Sequence, residues 1–476
     1  MRTWLTHPVH ISWRLAALCA GFVSGVASVL IVTIGTPWAL LSLSAVLLRR
    51  RAAVIFVVLS GVMVGNWYGG VVYDAMSPAR ELYGRQVLIE GVVVEDPSLS
   101  QSGELTLRLT NIRVEGRHYE GIVWASFTKD PDVRRSDRVT LRGLYEPGFG
   151  TFIGMMRQAT LESVVRSVPG DLGRVIRDWF ADAVRLGISE PQASLGIGFL
   201  TGQKSALPLD LSEALQIAGL THIVVASGYN LTILVRLARR LFVKYSKYWS
   251  MLASFGMIVG FISMTGLSPS MTRAGIVSAL SLLAWSYGRS SHPLVLLPLV
   301  AAITVAWQPS YAWGDLGWQL SFAAFFGVMV IAPLLQRYFF GRDPPGILRQ
   351  VLGETIAAHL VTLPLIVASF GVISHVAIVA NLLIVPLVPL AMLLTFMTGV
   401  CGLLLPMLVD VVALPAAWLL GYMTHTAQWL AGLSWAQAEV DVPVWTLFGY
   451  VGLLLLACWW MKRVTGYRLR DNNPIV

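Results

Sequence analysis

Apolar runs long enough to cross a lipid bilayer recur from one end of this chain to the other, and no other feature limits its possible folds so severely. A helix needs about 20 consecutive apolar residues to span the hydrocarbon core. Candidate runs fall at Ile11–Ile34, Thr36–Leu48, Ala52–Val72, Leu220–Leu237, Met251–Gly266, Met271–Tyr287, Pro293–Trp307, Leu316–Leu335, Val351–Phe370, Val376–Met397, Leu404–Thr424 and Val444–Trp460. They predict a polytopic α-helical membrane protein of about 11 to 12 crossings, because only helices or closed barrels satisfy the backbone inside lipid. Charge agrees: 13% of the 476 residues are charged, against roughly 25% in a soluble domain.

The charged residues that remain set an orientation. Basic residues gather at Arg49-Arg50-Arg51, Arg236–Lys247, Arg337–Arg349 and Lys462–Arg470. Even numbers of crossings separate the last three, so all four groups can share one side, the cytoplasmic one by the positive-inside rule. That places both termini in the cytoplasm and accounts for the net charge of +9 without a polyanionic partner. The first run has no convincing cleavage site and is read as an anchor. Cys19, Cys401 and Cys458 all lie in apolar runs, so no disulfide is expected.

Four regions follow: N-terminal anchors over 1–72, a polar segment over 73–170, a connector over 171–188, and a membrane body over 189–476 ending in a short basic tail. The polar segment has a different grammar. Leu105, Leu107 and Leu109 alternate with Thr106, Arg108 and Thr110, the period of a half-buried strand. Val87–Glu95, Gly121–Phe127 and Arg138–Leu144 are further strands, punctuated by Gly116, Pro131 and Pro147. About five short strands in so short a segment predict a small barrel of the OB type, and the orientation places it outside the cell. In Asp171–Leu186, Val175, Ile176, Trp179, Phe180, Ala183 and Leu186 share one helical face, with Arg174, Arg177, Asp178, Asp182 and Arg185 over much of the rest. This amphipathic helix suits either a membrane surface or a packed connector, and the sequence leaves both open.

Polar side chains inside the membrane body mark candidate functional positions, since they are costly there unless they face protein or water. The run GLTHIVVASGYN places His222, Ser227, Gly228 and Asn230 at the start of an apolar stretch; MTGLSPSMTRAG carries Arg273; WGDLGWQLSF carries Asp315 and Gln319, four residues apart on one helical face; Asn381 precedes Pro386 and Pro389. Each has a plainer explanation. Ser, Gly and Asn are common helix-packing residues in membranes, an arginine near a helix end can snorkel, and Asp315 can cap a helix starting at Leu316. Ser227 and His222 on one helix would stand about 140° apart, which argues against an intramembrane hydrolase. No phosphate-loop motif, metal-ligand cluster or cofactor box is present.

In this order these clusters resemble the ComEC-type competence family. The resemblance rests on GFLTGQKSALPLDLSEALQIAGLTHIVVASGYN (198–230), TGLSPSMTRAGI (265–276), WQPSYAWGDLGWQLSFAAFFG (307–327) and ANLLIVPLVPL (380–390). It implies a non-enzymatic membrane channel that passes single-stranded DNA into the cytoplasm during natural transformation. Its implied partners are membrane lipid, a DNA receptor, a cytoplasmic helicase-like motor and a separate nuclease, with no cofactor. His222, Ser227 and Gly228 match the family's HxxxxSG motif, and Asn230 stands where many members have a second histidine. Arg273 matches an Arg-Ala pair; Asp315 and Gln319 precede a Leu-Ser-Phe element. The HxHxDH run of the metallo-β-lactamase-like domain is absent, so the chain resembles the form lacking it. A small-solute carrier is the competing reading, and a scaffold role for the β segment a lesser one.

Overall fold

The computed structural model describes residues 10–32, 53–99, 104–127, 132–167, 170–203, 207–224, 228–266, 269–288, 292–341, 343 and 345–467. Eight helical stretches among them are long and apolar enough to cross a membrane: Ile11–Leu30, Val54–Leu82, Lys247–Thr265, Leu316–Phe340, Ile347–Phe370, Ala377–Leu404, Pro406–Ala431 and Val444–Thr465. The shortfall from the expected count has identifiable sources. Thr36–Leu48 lies outside the described residues. The Leu220–Leu237 run is described as helix over Thr221–Val224 and again from Gly228, with 225–227 outside the described residues. Pro269–Ser286 is helical but too polar to count, and Pro293–Trp307 is apolar but shorter than a span.

The chain divides into two compact units. The first comprises 1–171, 266–277 and 291–319; the second comprises 172–265, 278–290 and 320–476.

In the first unit, helices α1 (Ile11–Ala27) and α2 (Ala53–Met76) run parallel at backbone contact. A Cβ added at Gly25 would meet the Val62 carbonyl, and one at Gly65 the Phe22 carbonyl. Small residues at four-residue spacing on both helices (Gly21 and Gly25; Gly61, Gly65 and Gly69) make this approach possible. Asn66 then donates to the Ser28 hydroxyl at 2.9 Å and the Val32 carbonyl at 2.7 Å, so its amide is buried but satisfied.

Eight strands follow: β1 (Gln86–Val93), β2 (Ser98–Leu99), β3 (Leu105–Val114), β4 (Arg117–Tyr119), β5 (Ile122–Phe127), β6 (Arg138–Pro147), β7 (Phe152–Met156) and β8 (Thr160–Val165). Five close into a ring, β1-β3-β5-β7-β6 and back to β1, with β5 and β7 the parallel pair. This is the barrel the alternation predicted. Leu107 and Leu109 point inward beside Ile89, Val123, Val139, Leu141 and Met156, while Arg108 faces out. A bulge between Glu90 and Val92 lets β1 bend enough to pair on both edges.

The second unit is built round α4 (Gln192–Thr201), following α3 (Leu172–Arg185) in the chain. Every α4 residue from Ala193 to Thr201 is buried. Around it lie α5 (Leu209–Ile217), α6 (Thr221–Val224), α7 (Gly228–Phe242) and α8 (Lys247–Thr265). Next in sequence is α9 (Pro269–Ser286), which straddles the two units; α10 (Pro293–Trp307) and α11 (Ser310–Gly314) belong to the first. Then come α12 (Leu316–Phe326), α13 (Ala332–Phe340), α14 (Ile347–Phe370), β9 (Val372–Ser374), α15 (Ala377–Ile384), α16 (Val388–Leu404), α17 (Val409–Ala431), β10 (Gln437–Glu439) and α18 (Val444–Thr465). The core joins Leu195, Ile197 and Phe199 of α4 to Ile384, Ala391 and Met392 of α15–α16 and to Leu420 and Met423 of α17.

The amphipathic α3, left by the sequence between a membrane surface and a packed connector, turns its apolar stripe outward. Its apolar residues Leu172, Val175, Ile176, Trp179 and Leu186 are exposed, and the buried side carries Arg177, Ala181, Ala183 and Val184.

Candidate functional site

The predicted polar positions sort into two groups, one in each unit. In the first unit, Arg273 sits one turn into α9 and is buried, with its Nη2 reaching the Ser270 carbonyl at 3.4 Å. Asp315 lies close enough to act electrostatically on it. The Asp315 carboxylate also accepts the Trp318 backbone N–H at 2.6 Å, satisfying an amide at the start of α12. Asp315 is therefore a helix cap and a counter-charge at once. Gln319 donates to the Ala312 carbonyl at 3.4 Å, folding its amide back over α11.

The same unit brings the barrel to this point. Gly150 and Gly314 meet backbone to backbone, and Tyr73 packs edge-on against Trp313. Burial, Asp315 and Glu95 together push the Tyr311 hydroxyl up to about 12, so it stays a neutral donor. Arg135 of the barrel pairs with Asp171 at 2.5 Å, both largely buried, and its guanidinium fills the space a side chain at Gly266 (φ +88°) would take. No sequence signal announced that pair, since 36 residues separate its members.

In the second unit the chain breaks where the polar run lies. Gly219 takes a left-handed conformation (φ +69°), and a Cβ there would come within 2.7 Å of the Ala377 Cβ. His222 is exposed, with its Nδ1 3.0 Å from the Gly219 carbonyl. Asn230 is fully buried in the first turn of α7. Its amide donates to the Phe199 carbonyl at 3.1 Å and the Ile223 carbonyl at 3.2 Å. Asn230 thus ties the first turn of α7 to α4 and to Ile223. Asn381 is buried on α15 and donates to the Ala377 carbonyl at 2.8 Å, one turn back. Gly228 opens α7; Ser227 lies outside the described residues.

Leu195, Phe199, Leu215, Leu220, Ile223, Val224, Ile384 and Met423 enclose a cavity of about 10 Å³ between these elements, room for about one water molecule. Two buried hydroxyls, Ser254 on α8 and Thr395 on α16, have no hydrogen-bond partner among the described residues. Thr395 rests against Gly196 of α4.

Taken together these features define a multi-pass membrane protein with a small β barrel and a helical body that buries several polar side chains. Its family follows from comparison: the model described as competence protein matches residues 199–464, 266 of the 476, and the chain belongs to that family. Membership implies a part in DNA uptake during competence. No curated protein and no solved structure gives a comparable match.

Proposed function

We propose that this protein is the membrane channel through which single-stranded DNA reaches the cytoplasm during natural transformation. The observation that carries the reading is a coincidence of place. The family match opens at Phe199, whose carbonyl Asn230 holds, and covers the turn at Gly219, Arg273, Asp315, Gln319 and Asn381. A polynucleotide backbone cannot cross hydrocarbon and needs a path lined by polar and basic groups. Irregular backbone at membrane depth is tolerated where it borders such a path.

In this reading the packing around Gly219 and Asn230 is the closed form, since its cavity admits about one water molecule. Passage requires α4, α6 and α7 to separate. The protein performs no bond chemistry of its own. It sits in the inner membrane with both termini inside and the barrel outside. A receptor delivers DNA, a cytoplasmic motor pulls it, and a separate nuclease removes the second strand.

The test is deletion of the gene in a naturally transformable host, scored by transformation frequency and by import of labelled single strands. Loss of both, restored by the wild-type gene, supports the channel. Normal transformation with altered flux of a small solute would establish the carrier reading instead.

A further inference from the structure

We propose that α3 crosses the bilayer as part of the membrane body, with its Leu172–Val175–Ile176–Trp179 stripe against lipid and the Arg177 guanidinium turned into protein. The reasoning uses only contacts inside the second unit and does not depend on the channel reading.

The two helices that grip α3 fix its ends. Helix α8 starts at Lys247, beside the Arg236–Lys247 basic stretch, and finishes at Thr265 on the opposite face of the membrane. Helix α14 starts beside the Arg337–Arg349 basic stretch and finishes at Phe370 on that opposite face, so α15–α16 returns and finishes at Leu404 on the basic face. A Cβ at Gly173, near the start of α3, would overlap the Ser263 carbonyl at the far end of α8. Near the end of α3, the Ala183 carbonyl lies against Gly402, and Phe180 lies against Gly399, at the basic end of α16. Phe180 also stacks on Phe396, with ring centroids 6.0 Å apart. Gly187 then sits 2.9 Å, measured from an added Cβ, from the Val409 side chain at the start of α17. The segment therefore runs from one membrane face to the other. At 1.5 Å per residue, Gly173 to Gly187 covers about 21 Å, short of a core of about 30 Å. Charges at the C-terminal end, Asp182, Arg185 and Glu190, make up part of the difference by snorkelling.

The side chains divide accordingly. Trp179 is 60% exposed and Arg177 is 3% exposed. Its neighbours likewise carry exposed apolar residues, Leu252, Phe255 and Val259 on α8 and Leu393 and Met397 on α16. Lipid chains are the occupant that fits apolar residues exposed on three neighbouring helices. Arg177 donates through Nε and Nη2 to the Asp178 carboxylate at 2.9 and 2.8 Å, and Arg174 reaches the same carboxylate at 3.0 Å. Pairing of this kind is what permits a charge at membrane depth.

A consequence follows for residues 190–242. The Ser374 hydroxyl donates to the Ile217 carbonyl at 2.6 Å, and Gly219 packs on Ala377, both at the face away from the basic stretches. The chain therefore returns through α4 and α5 and crosses again through α6 and α7 to Arg239 and Arg240. Three passes stand where the apolar runs suggest one.

Single cysteines at Glu120 (barrel), Trp179 and Ser189 decide it, labelled with a membrane-impermeant maleimide before and after permeabilisation. The parent with Cys19, Cys401 and Cys458 sets the background. Glu120→Cys and Ser189→Cys are expected to label from opposite sides, and Trp179→Cys from neither until the membrane is dissolved in denaturant. Labelling of Glu120→Cys and Ser189→Cys from one side, or of Trp179→Cys in intact membranes, overturns the proposal. Should Trp179→Cys fail to accumulate, Val175→Cys reads the same stripe.

Discussion

At the scale of the residue, Asn230 offers the sharpest test because it works by donating. It holds two carbonyls, one on α4 and one at the end of α6. Removing the donor strands both acceptors in a dry interior, at a cost of about 1–3 kcal/mol. Asn230→Ala and Asn230→Asp should therefore lower the melting temperature of the detergent-purified protein alike, because a carboxylate cannot donate to a carbonyl. Asn230→His keeps ring N–H donors and should lie between these and wild type; an unshifted melt for Asn230→Asp would show that the two bonds carry no stability. Asp315 separates differently. It caps α12 through the Trp318 amide and acts as a charge on Arg273. Asparagine preserves the cap and removes the charge, whereas alanine removes both, the cap alone being worth about 1 kcal/mol. If the charge is the functional property, Asp315→Asn and Arg273→Gln each depress transformation at normal membrane levels, and Asp315→Asn does so nearly as much as Asp315→Ala. Uptake retained in Asp315→Asn but lost in Asp315→Ala would reduce Asp315 to a cap.

Among the elements, what was legible in the sequence depended on which solvent each element meets. The barrel strands were plain because Leu105, Leu107 and Leu109 alternate with polar residues facing water; β7 and β8 were missed because Phe152–Met156 and Thr160–Val165 follow no clean alternation. The membrane spans were legible as runs. Helix α3 was legible as a helix but not in its orientation, because its apolar stripe meets exterior surface and Arg177 meets protein. The turn ahead of α6 was foreshadowed by Gly219, but Asn230 gains its meaning only from carbonyls 7 and 31 residues away. Close packing of helices in the body also rests on positions no periodicity reveals. Gly402 lies against the Ala183 backbone, whereas Gly421 on α17 has open space where its Cβ would be. Valine at Gly402 should cost about 1–3 kcal/mol or more by forcing α3 from α16, seen as loss of folded protein from a fluorescence-detected sizing column. Valine at Gly421 should leave the elution profile unchanged. Equal behaviour of the pair would mean that the contact between α3 and α16 contributes nothing.

For the whole molecule the decisive property is which face of the membrane each part occupies, and parity governs it. Helices α1 and α2 are parallel, so residues 11 and 53 lie at the same face. In the proposed topology α2 crosses once to put the barrel outside, and the segment from Leu172 to Phe242 returns the chain whether it makes one pass or three, because both are odd. On that proposal the Arg236–Lys247, Arg337–Arg349 and Lys462–Arg463 groups share the cytoplasmic side, as the positive-inside rule requires. A barrel in the cytoplasm would put every one of these clusters outside at once. The turn between β3 and β4 reports the answer directly: Glu115 and Gly116 take positive φ, +50° and +78°, and Arg117 beside them is exposed. An epitope inserted at Arg117 should be reached by antibody on intact spheroplasts, while a C-terminal epitope should be reached only after lysis. Access to the Arg117 epitope only after lysis would invert the whole chain and overturn the outside position proposed for the barrel.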